Sequence, residues 1–324
     1  MAKGRVLVTG GAGFIGSALV KALLAAQYPV RVLDDGSRGS MRRLEGLSGD
    51  LELVVGDVSN PDVVVGAAES VKTIFHLASV NGTELFYAQP GRVLEIGIRG
   101  MLSVIEACRT HTIEDLFVAS SSEVYQSPSR VPTDETVPLM IPDLFNPRFS
   151  YAGQKIATEL LTIHLARPLV KRAVIFRPHN VYGPDMGFEH VIPQLSMRAA
   201  RLASSRDASD TVDFLVRRPL TATRAFIHID DFILAMMLLI DRAESGLYHV
   251  GNPEEITIEY LAQLITSRFP CNFRFVEEPE VVGGTLRRCP DIRKLRALGF
   301  SPRIPLAVGI GEVVKWYAKQ REQS

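Results

Sequence analysis

Residues Thr9-Gly10-Gly11-Ala12-Gly13-Phe14-Ile15-Gly16 decide the fold class, because they join an apolar run, Arg5–Thr9, to a helical one, Phe14–Ala26. The three spaced glycines answer three steric problems. Gly10 permits a tight turn, Gly13 lets backbone approach a pyrophosphate, and Gly16 lets the helix lie close on the strand. The unpaired N–H groups at a helix start then face anionic oxygens. Gly10, Gly13, Phe14, Ile15 and Gly16 are therefore expected to line a dinucleotide site. The next apolar run ends in Leu33-Asp34-Asp35. A carboxylate at Asp34 accepts hydrogen bonds from a ribose 2′-hydroxyl and repels a 2′-phosphate, which favours NAD over NADP. Arg38, four residues on, is the one feature that leaves NADP open.

Outward from this turn the rhythm repeats. Arg5–Thr9, Val30–Leu33, Leu51–Val55, Thr73–Leu77, Leu116–Ser120 and Arg172–Phe176 lack polar alternation, as strands covered on both faces do. Between them run the helical stretches Phe14–Ala26, Pro61–Ala68, Val93–Arg109 and Tyr151–Leu165. This repetition predicts an α/β chain built on a doubly wound parallel sheet, the Rossmann arrangement. Beyond Pro184 the rhythm breaks. Pro193–Ala203, Asp230–Arg242, Ile258–Arg268 and Leu306–Gln320 read as helices, Ala225–Ile229 and Leu247–Val250 as short strands, and Ser204–Asp210 as a polar surface loop. We expect residues 1–184 to form the dinucleotide-binding domain. Residues 185–324 should form a smaller, mostly C-terminal α/β substrate lobe, some of whose elements return to the core.

Composition narrows the functional classes. The 324 residues are 46% hydrophobic and 22% charged, ample for a core. Lys+Arg and Asp+Glu both number 36, so no cationic field marks a nucleic-acid or anionic-membrane binder. The apolar stretch Phe232–Ile240 is too short to span a bilayer. Met1-Ala2-Lys3-Gly4-Arg5 leads into a strand without a signal-peptide pattern, so the expected location is cytoplasmic. Cys108, Cys271 and Cys289 are too dispersed for a disulfide framework or a zinc site. His179, His228 and His249 read as structural, with no carboxylates at ligand spacing, and no metal is expected. Met236-Met237-Leu238-Leu239 reads as helix core.

Chemistry enters at Tyr151-Ala-Gly-Gln-Lys155, which places a phenol and an amine one helical turn apart on one face. An ammonium beside a phenol favours phenolate, so Lys155 is expected to lower the Tyr151 pKa toward that of a general base. Upstream, Ser120-Ser121-Ser122-Glu123-Val124-Tyr125 closes the fifth strand, and strand C-termini are where α/β ligand sites lie.

With these motifs in place, the chain resembles the extended short-chain dehydrogenase/reductase family, in its NAD-dependent nucleotide-sugar epimerase/dehydratase branch. The likeness runs through nearly the whole chain. It takes in the glycine turn, Gly56-Asp57-Val58, Phe75-His76-Leu77-Ala78, the serine run, the Tyr–Lys pair, Arg177-Pro178-His179-Asn180-Val181-Tyr182-Gly183-Pro184, Arg224-Ala225-Phe226-Ile227-His228, and Arg288-Cys289-Pro290-Asp291. The resemblance implies that Ser121, Tyr151 and Lys155 form the catalytic triad, with Glu123 beside them. It puts Asp57 and Val58 against the adenine, and Leu77, Ala78, Ser79, Ser120 and Pro178 along the cofactor. Asn180, Ser122 and Val191 would meet the substrate, while Arg224 and Arg288 clamp its diphosphate, which guanidinium forks match bidentately. It also implies a homodimer in which Tyr151–Leu165 and Val93–Arg109 build a four-helix bundle. Burial of the first helix under the C-terminal lobe is the alternative. Two departures stand out: Gly97 occupies a position where the family usually carries asparagine, and Val216-Arg217-Arg218-Pro219-Leu220 replaces a glycine-rich stretch.

The shared chemistry starts with the Tyr151 phenolate taking the sugar 4-hydroxyl proton while NAD accepts the C4 hydride. The 4-keto sugar can then regain hydride on its other face, lose water across C5–C6, or, if a uronic acid, lose carbon dioxide. Dehydratases of the dTDP-glucose type often carry Asp-Glu where this chain has Ser122-Glu123, whereas decarboxylases and some GDP-mannose-type dehydratases carry Thr-Ser-Glu, which Ser121-Ser122-Glu123 approximates. Glu123 is either a base at C5 or a partner of local backbone. The expected reaction is NAD-dependent nucleotide-sugar 4-epimerisation, with 4,6-dehydration or decarboxylation the runner-up. A non-catalytic NAD(P)-sensing protein is the reading from another class, and the presence of both Tyr151 and Lys155 counts against it.

Overall fold

The computed structural model describes residues 3–204, 211–216, 219–278 and 285–320. Most of residues Ser204–Asp210, and Arg217 and Arg218 of the departing stretch, lie outside the described residues. Seven parallel strands form the main sheet: β1 (Arg5–Thr9), β2 (Val30–Asp34), β3 (Leu51–Val55), β4 (Val71–His76), β5 (Asp115–Ala119), β6 (Arg172–Pro178) and β7 (Gly246–Val250). Their order is β7-β6-β5-β4-β1-β2-β3, with Thr9 in register with Leu33 on one side and His76 on the other. The order reverses beside β1, so a crevice opens at the C-terminal ends of β1 and β4.

The strand side chains explain the two helical layers. Val6 and Val8 face one layer with Phe75, Phe117, Phe176, Phe232 and Met236. Leu7 faces the other with Ile74, Leu116, Val118, Met101 and Val104. Helices Phe14–Ala25 and Ile229–Arg242 cover the first face, and Pro61–Ala67 and Pro90–Thr110 the second. β3 departs from expectation. It is one of the two edge strands, so Leu53 and Val55 are exposed rather than covered on both faces.

Past Pro184 a second core gathers Tyr182, Ile192, Leu195, Phe214, Phe226, Leu261, Ile310 and Tyr317. Helices Val191–Ala203, Ile258–Thr266 and Leu306–Gln320 surround it, with a parallel pair of strands, Thr211–Val216 and Asn272–Glu277. A ribbon of Glu255–Thr257, Thr223–Ala225 and Arg287–Arg288 carries both candidate clamp arginines on adjacent, parallel-paired strands. Helix Ile229–Arg242 and β7 belong to the main sheet's layers, so the chain returns to its first half before finishing the lobe.

The helix carrying the Tyr–Lys pair runs Ser150–Leu161 and continues as a π-helical turn, Thr162–Ala166. Thr158 and Thr162 hydroxyls bond the carbonyls four residues back, competing with the regular ladder there. It packs on Pro90–Thr110. The C-terminal lobe does not cover its other apolar stripe, since Leu160, Ile163 and Leu165 are exposed, as are Leu94 and Leu102 of its neighbour. Among the described residues no helix is long and apolar enough to cross a membrane. All three cysteines are free and buried, and burial pushes the Cys108 thiol up to about 12.

Candidate active site

The glycine turn is as tight as its sequence requires. Gly10 adopts a φ of +71°, and a Cβ there would lie 2.8 Å from the Ala78 nitrogen. A Cβ on Gly16 would come within 2.1 Å of the Gly10 carbonyl, so helix and turn could not close with any side chain present. Gly13 precedes the helix and offers no side-chain cap, leaving the first-turn N–H groups of Phe14 and Ile15 directed at the crevice. At the end of β2, Asp34 is buried and accepts from Ala12 N at 3.0 Å and Gly36 N at 2.9 Å. Two backbone donors thus hold its carboxylate against the turn. Arg38 instead pairs with Glu189 at 3.2 Å. Asp57 caps its own turn through Ser59 N at 2.8 Å, and Val58 is buried beside Gly100. Leu77, Ala78 and Ser79 follow β4, with Leu77 N bonded to the Thr9 carbonyl at 3.1 Å. A phosphate-facing helix start, glycines that admit no Cβ and an acidic residue at the second strand fit a dinucleotide.

Across the crevice, β5 delivers the serines and helix Ser150–Leu161 the Tyr–Lys pair. Lys155 is buried and its Nζ donates to the Ala119 carbonyl at 2.8 Å, 5.7 Å from the Tyr151 ring centre. Tyr151 is buried, stacked on Phe86 at 4.8 Å, and hydrogen-bonded to Ser121. Burial raises the phenol above its usual value, the Ser121 hydrogen bond opposes this, and the Glu123 charge adds to it. The expectation that Lys155 lowers the phenol is therefore corrected: desolvation dominates, and burial also brings Lys155 down to about 8 despite the Glu159 carboxylate.

Glu123 lies in the turn Ser122–Tyr125, its backbone N–H donating to the Ser121 hydroxyl at 3.1 Å. Its carboxylate accepts from Arg288 at 2.5 Å, and Arg288 also donates to Thr285 at 3.1 Å. Burial would raise Glu123, but the charges of Arg288, Arg148 and Arg224 hold it at about 2. Arg224 donates to the Thr223 carbonyl at 2.7 Å. Pro178 ends β6. Asn180, at a φ of +40°, ties its amide to the Ala225 carbonyl at 2.8 Å. Ser122 is buried, whereas Val191 starts a helix packed on the lobe's own core.

Several residues escaped the sequence reading. Arg148, three before Tyr151, has a buried Nε with no hydrogen-bond partner among the described residues and adds positive charge beside Glu123. Only its spacing from the tyrosine could have flagged it. His76 bonds Thr9 at 2.9 Å beneath the turn, and burial with the Lys155 charge lowers it to about 3. Behind Lys155 runs a buried polar chain. Ser120 donates to Glu159 at 2.5 Å, and Arg177 grips Glu159 at 2.8 and 2.6 Å. Arg177 also bonds the Tyr125 oxygen, which lies 2.6 Å from His249 Nε2, and His249 Nδ1 faces the Asp291 carbonyl at 3.2 Å.

Sheet, glycine turn and Tyr–Lys helix together define a dinucleotide-dependent α/β protein. The profile of the NAD dependent epimerase/dehydratase family matches residues 6–251, and the chain belongs to that family. Among curated relatives it is 30% identical to UDP-glucuronic acid decarboxylase 1 of Danio rerio over 98% of this chain and 73% of that one. It is 29% identical to dTDP-glucose 4,6-dehydratase of Streptomyces niveus, over 98% and 94%. The UDP-glucose 4-epimerase of Thermus thermophilus, solved with NAD, superposes with a TM-score of 0.81 at 25% identity, covering 97% and 98% of the two chains. NAD is the cofactor, and the reaction lies within nucleotide-sugar epimerisation, dehydration or decarboxylation.

Proposed function

We propose that this chain is a nucleotide-sugar 4-epimerase. The observation that carries the reading is the ion pair of Glu123 with Arg288 at 2.5 Å. Held at about 2, the Glu123 carboxylate has no proton to give and little basicity. Dehydration needs both a base at C5 and an acid at the leaving hydroxyl, whereas 4-epimerisation needs only the groups around Tyr151. Bound NAD supplies a hydride acceptor that becomes the donor in the return step. Ser121 orients the 4-hydroxyl, and Tyr151 takes its proton and gives it back. Lys155 keeps positive charge beside the phenol. The C4–H bond breaks and re-forms on the opposite face of the sugar, so cofactor and mass are unchanged at the end. In this reading Gly10, Gly13, Phe14, Ile15, Gly16, Asp34, Asp57, Val58, Leu77, Ala78, Ser79, Ser120 and Pro178 hold the cofactor. Ser122, Asn180, Val191, Arg224 and Arg288 meet the nucleotide diphosphate sugar.

Decarboxylation of a nucleotide-linked uronic acid is the second reading. The 4-keto acid loses carbon dioxide without a C5 base, and Arg148 adds a cation near the reacting end. The test is to incubate the protein with UDP-, GDP- and dTDP-sugars, uronic acids included, without added NAD, and record product mass and proton couplings. An isomer inverted at C4 establishes the first reading. Loss of carbon dioxide from the product mass establishes the second, and loss of water overturns both.

A further inference from the structure

The geometry points to Gln154 as a cofactor-positioning residue that can occupy its place only because residue 97 is glycine. Gln154 sits between Tyr151 and Lys155 in sequence but turns toward helix Pro90–Thr110, where it is fully buried. Its Nε2 donates to the Ser79 hydroxyl at 3.0 Å. Its Oε1, equally buried, has no donor among the described residues. A Cβ on residue 97 would fall 2.0 Å from that oxygen and 2.5 Å from the amide carbon. Gly97 is thus the space into which the carboxamide fits, and any side chain there expels it.

Ser79 is one residue beyond Ala78, whose backbone abuts Gly10 and whose N–H donates to the Thr9 hydroxyl at 3.3 Å. The segment that Gln154 holds therefore borders the dinucleotide turn directly. Gln154 fixes the orientation of the Ser79 hydroxyl through its Nε2, while its Oε1 sits over Gly97. Across the helix interface it provides a carboxamide that residue 97, being glycine, lacks. This rests on NAD as the cofactor and not on which reaction follows, so failure of the epimerase reading leaves it standing.

The experiment measures the NAD dissociation constant of the cofactor-stripped protein, by calorimetry, for wild type, Q154A, Q154S, S79A, G97A and the pair G97A/Q154A. The melting temperature of each stripped protein is the control for folding. Q154A, Q154S and S79A should each weaken NAD by about tenfold, equivalent to about 1.4 kcal/mol, with little change in the melting temperature of the stripped protein. G97A should match Q154A, and the pair should be no worse than either alone, because both remove the same contact. NAD affinity within about twofold of wild type in Q154A and Q154S overturns the proposal. So does a double variant whose losses add, since that would separate Gly97 from Gln154.

Discussion

Tyr151 carries the proton transfer in the proposed reaction, and its surroundings set the terms. Phe86 covers its ring, Ser121 reaches its hydroxyl, and burial holds the phenol above its usual range. Tyr151→Phe should cut turnover by at least about 10²-fold while NAD stays bound. Retained turnover in that variant would remove the phenol from the chemistry. Glu123→Gln separates the dehydratase reading from the other two. If Glu123 only neutralises arginines, kcat should stay within about tenfold of wild type, whereas a C5 base would cost about 10²–10⁴. The buried histidines make a prediction about stability. Burial and the Arg177 charge bring His249 from 6.5 down to about 4, and His179 is also lowered, by burial, by His249 and by Arg288. Above pH 6.5 neither folded nor unfolded chain binds the extra proton. Below it the unfolded chain takes up protons that the folded one refuses, so stability falls as pH drops from about 6.5 to about 4. The melting temperature, followed from about pH 8 to about pH 4, should decline through that window. A flat profile would contradict the assignment.

At the scale of elements, how much could be read in advance depended on whether a residue's neighbours were local in sequence. The glycine turn was legible because each glycine answers a steric demand within a few residues, and the structure has Gly16 against the Gly10 carbonyl. The strands were legible from their apolar runs, but periodicity does not reveal which of them become edges, so Leu53 and Val55 were misplaced as covered. The Tyr–Lys pair was visible as a spacing. The state of the phenol was not, because desolvation by Phe86 and repulsion by Glu123 come from residues 65 and 28 positions away in the chain. Glu123 was found in the serine run, but its partner Arg288 lies 165 residues downstream. Gly97 reads in sequence as a departure from the family's asparagine, and only the fold shows that Gln154, from another helix, fills the space. The resemblance named a role for most of the site. Arg148, which no motif singled out, needed the folded arrangement.

At the scale of the molecule, the apolar stripe of Leu94, Leu102, Leu160, Ile163 and Leu165 remains open on a single chain. We propose that a second copy covers it, pairing helices Pro90–Thr110 and Ser150–Leu161 as a four-helix bundle. Leu160→Glu should shift the protein from dimer to monomer in light scattering after gel filtration, with the fold retained by circular dichroism. A wild-type monomer at micromolar concentration would remove the bundle. The buried polar chain from Ser120 through Glu159, Arg177, Tyr125 and His249 to the Asp291 carbonyl has a wider reach. It fastens the strand end that bears Ser121 to the segment that bears Arg288, two stretches that sequence keeps far apart. A substitution that moves the Asp291 carbonyl is therefore felt at the serine turn, although the chain between them is long.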